Sequence, residues 1–411
     1  MTMEKRFQFS KKLRTISLVL MVIGLISGVM AFMADTNRFW TNILFSNYFF
    51  LILALGAAFW MALQYIAEAG WSAAFKRVPE SISAYIMPAG IFMLLLVLAG
   101  LKYVYPWANP EGHIDDFAKY PEFEEILEVK SPYLNSGFFI TRTFIYFIVW
   151  ILTTAILRKF SKNEDEDKAG ALKWFEKSRF FSKVHIFAFA ATFIFAGFDY
   201  LMSLEPFWYS TLFSIKEIIS GFFHASALII LIIYYLHKKG YFPFMNSSHW
   251  HDLSKYLFMG SILFAYAWYF QYMLIWYGNI PEEGEYYFLR RFHFSQFLFT
   301  LNIVINFFLP FIILLPNKLA KNPKVLVVMS LLILVGLFLD VYLSVFPPLT
   351  HTFKGMGEHI HPVLGIYEIG IFLGFLGLFI FVVFKVMAKR KYIIPVNHPY
   401  IEESLMHHNA H

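Results

Sequence analysis

Five side chains able to donate, accept or hold a proton interrupt long apolar stretches of this chain: Asp199, His224, Gln271, Asp340 and Glu368. A carboxylate in hydrocarbon costs roughly 2.5–3.5 kcal/mol even on lenient insertion scales, so such groups are tolerated chiefly where they face a bundle interior or a water-filled path. Taken singly, each also reads as an ordinary helix–helix hydrogen bond, worth about 0.6 kcal/mol on average. Taken together, carboxylates at one depth must hold protons, pair with Arg142 or Lys216, or contact water. Burial strengthens a carboxylate's hold on its proton and a neighbouring cation weakens it. The chemistry this pattern can support is proton handling, or the polar end of a quinone pocket.

The elements that carry these groups are set by composition. Of 411 residues, 58% are hydrophobic and 20% aromatic, which excludes an ordinary soluble domain and predicts an all-α polytopic membrane protein. The apolar stretches fall near 13–33, 43–67, 82–105, 136–158, 183–205, 214–237, 255–277, 294–315, 324–346 and 364–388. Each is long enough for a helix at ~1.5 Å per residue to cross the bilayer. Strands are excluded because the segments lack barrel alternation and lipid-exposed backbone must satisfy its own hydrogen bonds. A basic start followed by apolar 13–33 resembles a secretory signal, but its apolar core exceeds the usual ~7–15 residues, so a retained first helix is expected.

Orientation follows from charge. Of the 34 Lys and Arg residues, 25 fall at the termini and in the loops on the same side as the termini, which predicts both termini in the cytoplasm and accounts for the net charge of +6 without nucleic acid. The longest segment on the other side, 106–135, is acidic (Glu111, Asp115, Asp116, Glu122, Glu124, Glu125, Glu128) and reads as a solvated loop or a partner-docking face with a short helix from Pro121. Residues 161–183 mix both signs and read as a solvated or amphipathic connector, and 389–411 as a cytoplasmic tail.

Counting inward at ~1.5 Å per residue places Asp199, Asp340, Gln271 and Glu368 roughly 10 Å inside the outer helix ends, with Arg142 and His224 in the same outer third. Towards the cytoplasm, Asn302, Asn306, Gln64, Glu68 and His185 outline a sparser polar path. The two asparagines read equally as helix glue, and Glu68 and His185 as ordinary interfacial polarity. His185 and His224 lie at different depths, which argues against a shared bis-histidine haem. His351, Glu358, His359 and His361 lack a recognised metal spacing, and His407, His408 and His411 form a His-rich tail. Cysteine is absent, so iron–sulfur clusters, Cys-attached haem and disulfides are excluded from this chain. No P-loop, zinc-protease motif or nucleophile elbow occurs.

Three longer motifs carry a resemblance. Lys130-Ser-Pro-Tyr-Leu-Asn-Ser-Gly-Phe-Phe-Ile-Thr-Arg142, Phe198-Asp-Tyr-Leu-Met-Ser-Leu-Glu-Pro-Phe-Trp-Tyr-Ser-Thr211 and Gln271-Tyr-Met-Leu-Ile-Trp-Tyr-Gly-Asn-Ile-Pro-Glu-Glu283 resemble the NrfD/PsrC-type membrane subunits of alternative complex III. By its length and basic start the chain is most similar to the sister of the quinol-binding subunit in that complex. The resemblance implies a quinol:electron-acceptor oxidoreductase of a bacterial inner membrane. It implies partners: the quinol-binding sister, an iron–sulfur subunit, multihaem and monohaem cytochrome c subunits, small membrane anchors, and a terminal oxidase nearby. Menaquinol is the implied substrate pool, with haem c and iron–sulfur clusters on the partners. In the sister, a His and an Asp near the outer surface are associated with quinol, and Asp199 and His224 are the nearest chemical matches here.

The expected role is structural and proton-conducting. Its rivals are quinol binding by Asp199, His224 and Arg142, and secondary transport, which matched Gly/Pro helix breaks would favour and which this sequence lacks.

Overall fold

The computed structural model describes residues 5–113, 121–354 and 364–408. Among the described residues, ten helices are long and apolar enough to span a membrane: α1 (Lys11–Ala34), α2 (Thr36–Ile66), α3 (Arg77–Val104), α4 (Ser136–Glu166), α5 (Ala171–Leu204), α6 (Thr211–Lys238), α7 (Ser247–Gly278), α8 (Gln296–Leu314), α9 (Pro323–Leu349) and α10 (Ile366–Lys389). The all-α expectation holds. Several helices begin or end well beyond the apolar stretches, and at the early starts of α2 and α7 a capping side chain rather than hydropathy sets the end. Asp35 alone separates α1 from α2, and its carboxylate accepts from the Arg38 N–H at 3.1 Å. Asn135 starts α4 in the same way, Ser295 starts α8, and Asn246 with His249 forms a reciprocal cap on α7.

α2 lies at the centre, with 78% of its apolar window buried, while α1 lies at the edge with 22%. α2 packs on α6 through a glycine crossing: a Cβ on Gly56 would lie 2.0 Å from the Gly221 carbonyl oxygen. Small residues let helix backbones approach this closely in the absence of a hydrophobic driving force. α4 pairs with α5, α7 with α6, and α9 fills the angle between α6 and α2. α1 leans chiefly on α10, where Gly24 meets Gly374 and Ser27 meets Gly370. Wide, π-type turns interrupt α3 at Leu96–Gly100 and α8 at Val304–Phe308, and a third, Leu289–Phe294, leads into α8.

Both chain ends lie on one face, here the terminal face, where the Ile393 N–H donates to the Lys5 carbonyl at 3.1 Å. The tail is not a free extension. It crosses the helix ends, with Tyr400 donating to Glu68 at 3.0 Å, Ser404 to the Trp71 carbonyl at 2.7 Å, and His407 Nε2 lying 2.5 Å from Asp252. Opposite is the distal face, which carries the short helix Pro121–Lys130 expected from the acidic stretch. Asp115, Asp116, Glu358, His359, His361 and His411 lie outside the described residues, as do the side chains of Glu122 and His351.

Candidate functional site

A buried polar network starts on the second turn of α6. Lys216 Nζ lies 3.0 and 3.2 Å from the two carboxylate oxygens of Asp340 on α9, and 2.8 Å from Oε1 of its neighbour Glu217. Tyr48 on α2 donates to the other Glu217 oxygen at 3.2 Å. All four residues are buried. Asp340 then leads into a line of amides: Asn302 donates to it at 3.1 Å, Asn306 donates to Asn302 Oδ1 at 2.7 Å, and Asn306 Oδ1 faces His224 Nε2 at 3.0 Å. The π-type turn in α8 contains Asn306, and such turns re-aim side chains that a regular helix would point elsewhere.

The polarity of this line follows from its end. An ionised Asp340 only accepts, so Asn302 and Asn306 each turn an amide N–H towards it and an oxygen away, and His224 completes the line with a proton on Nε2. Nδ1 of His224 lies 2.7 Å from the Ser220 carbonyl, which can only accept, and 3.1 Å from the Ser220 hydroxyl, which can donate or accept. Glu217 and Asp340 share Lys216 as their cation, and the next guanidinium, Arg290, is matched by Glu205 at 2.5 Å. The network thus holds two carboxylates against one ammonium in a low-dielectric interior, where uncompensated charge is costly.

A cavity of about 20 Å³ adjoins Asp340 and Lys216 on the distal side, lined by Gln271, Trp268, Tyr286, Tyr287 and Arg290 among others. That is room for about one water. Its distal wall is fixed: Arg290 donates to the Leu343 carbonyl at 2.8 Å and the Tyr286 carbonyl at 2.9 Å, and packs 3.4 Å from the Tyr286 ring centre. Trp208 stacks on the other side of Tyr286 at 4.1 Å.

The remaining carboxylates belong to other places. Asp199 on α5 holds Arg142 on α4 through two hydrogen bonds of 2.8 and 2.9 Å and accepts a third from Tyr146 at 2.7 Å. Glu368 on α10 holds Arg38 on α2 at 2.6 and 2.7 Å and also accepts from Asn42 at 3.1 Å. The single outer layer expected from depth counting is therefore three separate sites. Two are charge-balanced pairs that tie helices together, and only Asp340, His224, Gln271, Asn302 and Asn306 come together.

Nearer the terminal face, the outlined path is not continuous. His185 on α5 bonds Thr153 at 2.8 Å, Gln64 bonds Tyr256 at 2.9 Å, and Glu68 pairs with Arg179. His185 and His224 have separate partners, so they do not face a common ligand. What sequence reasoning missed here is a buried ion-pair cluster: Lys76 with Glu164 at 2.9 Å, Arg77 with Glu80 at 2.7 Å and with Asp165, and Arg390 with Glu80 at 3.0 Å. Residues 161–183 take the amphipathic form of the two expected: Ser161, Glu164, Phe175, Ser178 and Ser182 are buried while Lys162, Glu166, Lys168, Lys173 and Lys177 are exposed. Ser161 and Glu164 lie inside, on a helix that runs on to Glu166. The detectable signal was Ser161, Glu164 and Asp165 at helical spacing, with Arg77 and Glu80 three apart. Glu217 and Arg38 were also missed, since each lies within two turns of a helix end, where charge is ordinary.

Residues 12–350 match the family model described as polysulphide reductase, NrfD. No curated protein matches the chain.

Proposed function

Because the chain belongs to the NrfD family, membrane subunits of quinol-linked oxidoreductases that typically partner with iron–sulfur and cytochrome subunits, we propose that it is the proton-conducting member of such a complex. The observation that carries this reading is the single ammonium of Lys216 serving two buried carboxylates, Glu217 and Asp340. Two carboxylates sharing one cation out of water form the kind of site that can take up and release a proton. The water-sized cavity beside Asp340 gives the site a water on its distal side, and opening of the Arg290–Tyr286–Trp208 wall would connect it to the distal face. When Asp340 takes a proton it becomes a donor, and the Asn302–Asn306 line reverses its polarity, so occupancy at Asp340 and at His224 is coupled.

The assembly is of the alternative complex III type, with this chain in the ActF position beside a quinol-binding sister. The terminal face lies in the cytoplasm of a bacterial inner membrane, as the Lys and Arg distribution favours. Menaquinol is oxidised at the sister, with iron–sulfur and haem c subunits and smaller anchors completing the assembly and a terminal oxidase as acceptor.

Quinol binding by this chain is the second reading, favoured by the aromatic and amide lining around Gln271. Size weighs against it: a ring needs a cavity of about 150 Å³, and this one is about 20 Å³. A quinone-analogue photolabel should attach to the sister and spare Trp268 and Tyr286.

The test is proton stoichiometry in proteoliposomes holding the assembled complex. Asp340→Asn and Glu217→Gln should assemble and oxidise quinol, yet release only the protons that quinol oxidation itself sets free. Asp199→Asn should leave the proton count per quinol unchanged. Unaltered proton release in both Asp340→Asn and Glu217→Gln would overturn the conducting role.

A further inference from the structure

A groove of about 650 Å³ runs between α1, α2, α3 and α10, well away from the charged network. It exists because α1 is held from one side. Gly24 lies against Gly374 of α10, while the opposite flank of α1 stands off from α3, which reaches the groove through Phe92. Its wall along α1 extends from Leu18 to Phe32, about 21 Å at ~1.5 Å per residue. Gly28 opens the groove floor: a Cβ placed there would meet nothing nearer than Phe39, at 3.6 Å.

Size and chemistry select the occupant. The lining is apolar and belongs wholly to membrane-spanning helices, so it is filled by hydrocarbon and not by water. The volume is roughly four times the ~150 Å³ that admits benzene, enough for one long hydrocarbon chain. The distal end of the groove, at Phe32 and Phe39, adjoins a cation: Arg38, next to Phe39 in sequence, has a side chain 30% exposed. Its Nε and Nη2 donate to Glu368, which leaves Nη1 without a partner among the described residues and free to donate to a phosphate oxygen.

We propose that this groove is a phospholipid site, with one acyl chain of a distal-leaflet lipid lying along α1 and its phosphate held by Arg38. The lipid would act as a filler between α1 and the bundle, giving the edge helix a second packed side.

Two measurements test this on the intact complex. After exhaustive detergent exchange, native mass spectrometry should find one phospholipid retained with the wild-type chain and none at this position in Gly28→Phe, whose ring occupies the groove. Equal retention in the two, or a quinone in place of the phospholipid, would overturn the proposal. Should Gly28→Phe fail to accumulate, a phospholipid with a diazirine on its acyl chain is used on the wild type. Adducts concentrated on 18–32 and 371–378 support the site, and adducts spread evenly over the lipid-facing sides of α4, α5 and α7 refute it.

Discussion

Arg142 and Lys216 both pair with a buried aspartate, yet their surroundings give them different work. Arg142 meets one carboxylate, Asp199, through two parallel bonds, and the remaining acceptor capacity is taken by Tyr146. Such a pair is closed, and removing one member strands a charge at a cost of about 3–5 kcal/mol. Arg142→Met should therefore sharply lower the thermal stability of the assembled chain, and adding Asp199→Leu should recover most of the loss in a double-mutant cycle. Additive losses would show the two are uncoupled. Lys216 meets two carboxylates, so one-to-one pairing does not close its site, and no apolar pair reproduces that state. Asp199, Asp340 and Glu368 were visible in the sequence because ionisable groups stand out in apolar helices. Which cation each would choose was not visible: Arg38 reaches Glu368 from the opposite end of the chain, and depth alone gives no lateral position.

The helices themselves were largely legible, since a span needs a run of about 20 apolar residues whatever surrounds it. Their ends were not. α5 begins at Ala171, well before the apolar stretch from 183, because its first turns pack Phe175 against Tyr65 and the tail residues His398 and Tyr400. Local hydropathy cannot register a partner so distant in sequence. The α2–α6 crossing brings two helix backbones into direct contact. Gly56→Leu should abolish the folded chain, since even a Cβ there would lie 2.0 Å from the Gly221 carbonyl and overpacking of this kind forces the backbones apart. The check is the amount of chain in the assembled complex, with Gly28→Ala, which meets only ordinary contact, as the tolerated comparison.

Across the whole molecule, the terminal face is sealed by the tail and the distal face by the Arg290–Tyr286–Trp208 stack. The sequence showed a His-rich tail and a bias of positive charge, but it could not show that the tail is docked. His398 sits in that dock, and burial, then the charges of Lys76 and Arg77, hold its pKa well below 6.5. The folded dock therefore binds fewer protons than the released tail, and its stability falls as pH drops below about 6.5. Protease cleavage at 391–400 should accelerate between pH 7 and 6 in the wild type, and His398→Gln should flatten that dependence. A wild-type rate unchanged over this interval would show that His398 does not control docking. The seam between α1 and α10 imposes an order on synthesis. α1 is made well before α10, whose backbone at Gly374 it fits most closely, so until α10 enters the bilayer α1 has only its lesser contact with α2. A chain cut short before α10 therefore carries an uncovered glycine face on α1.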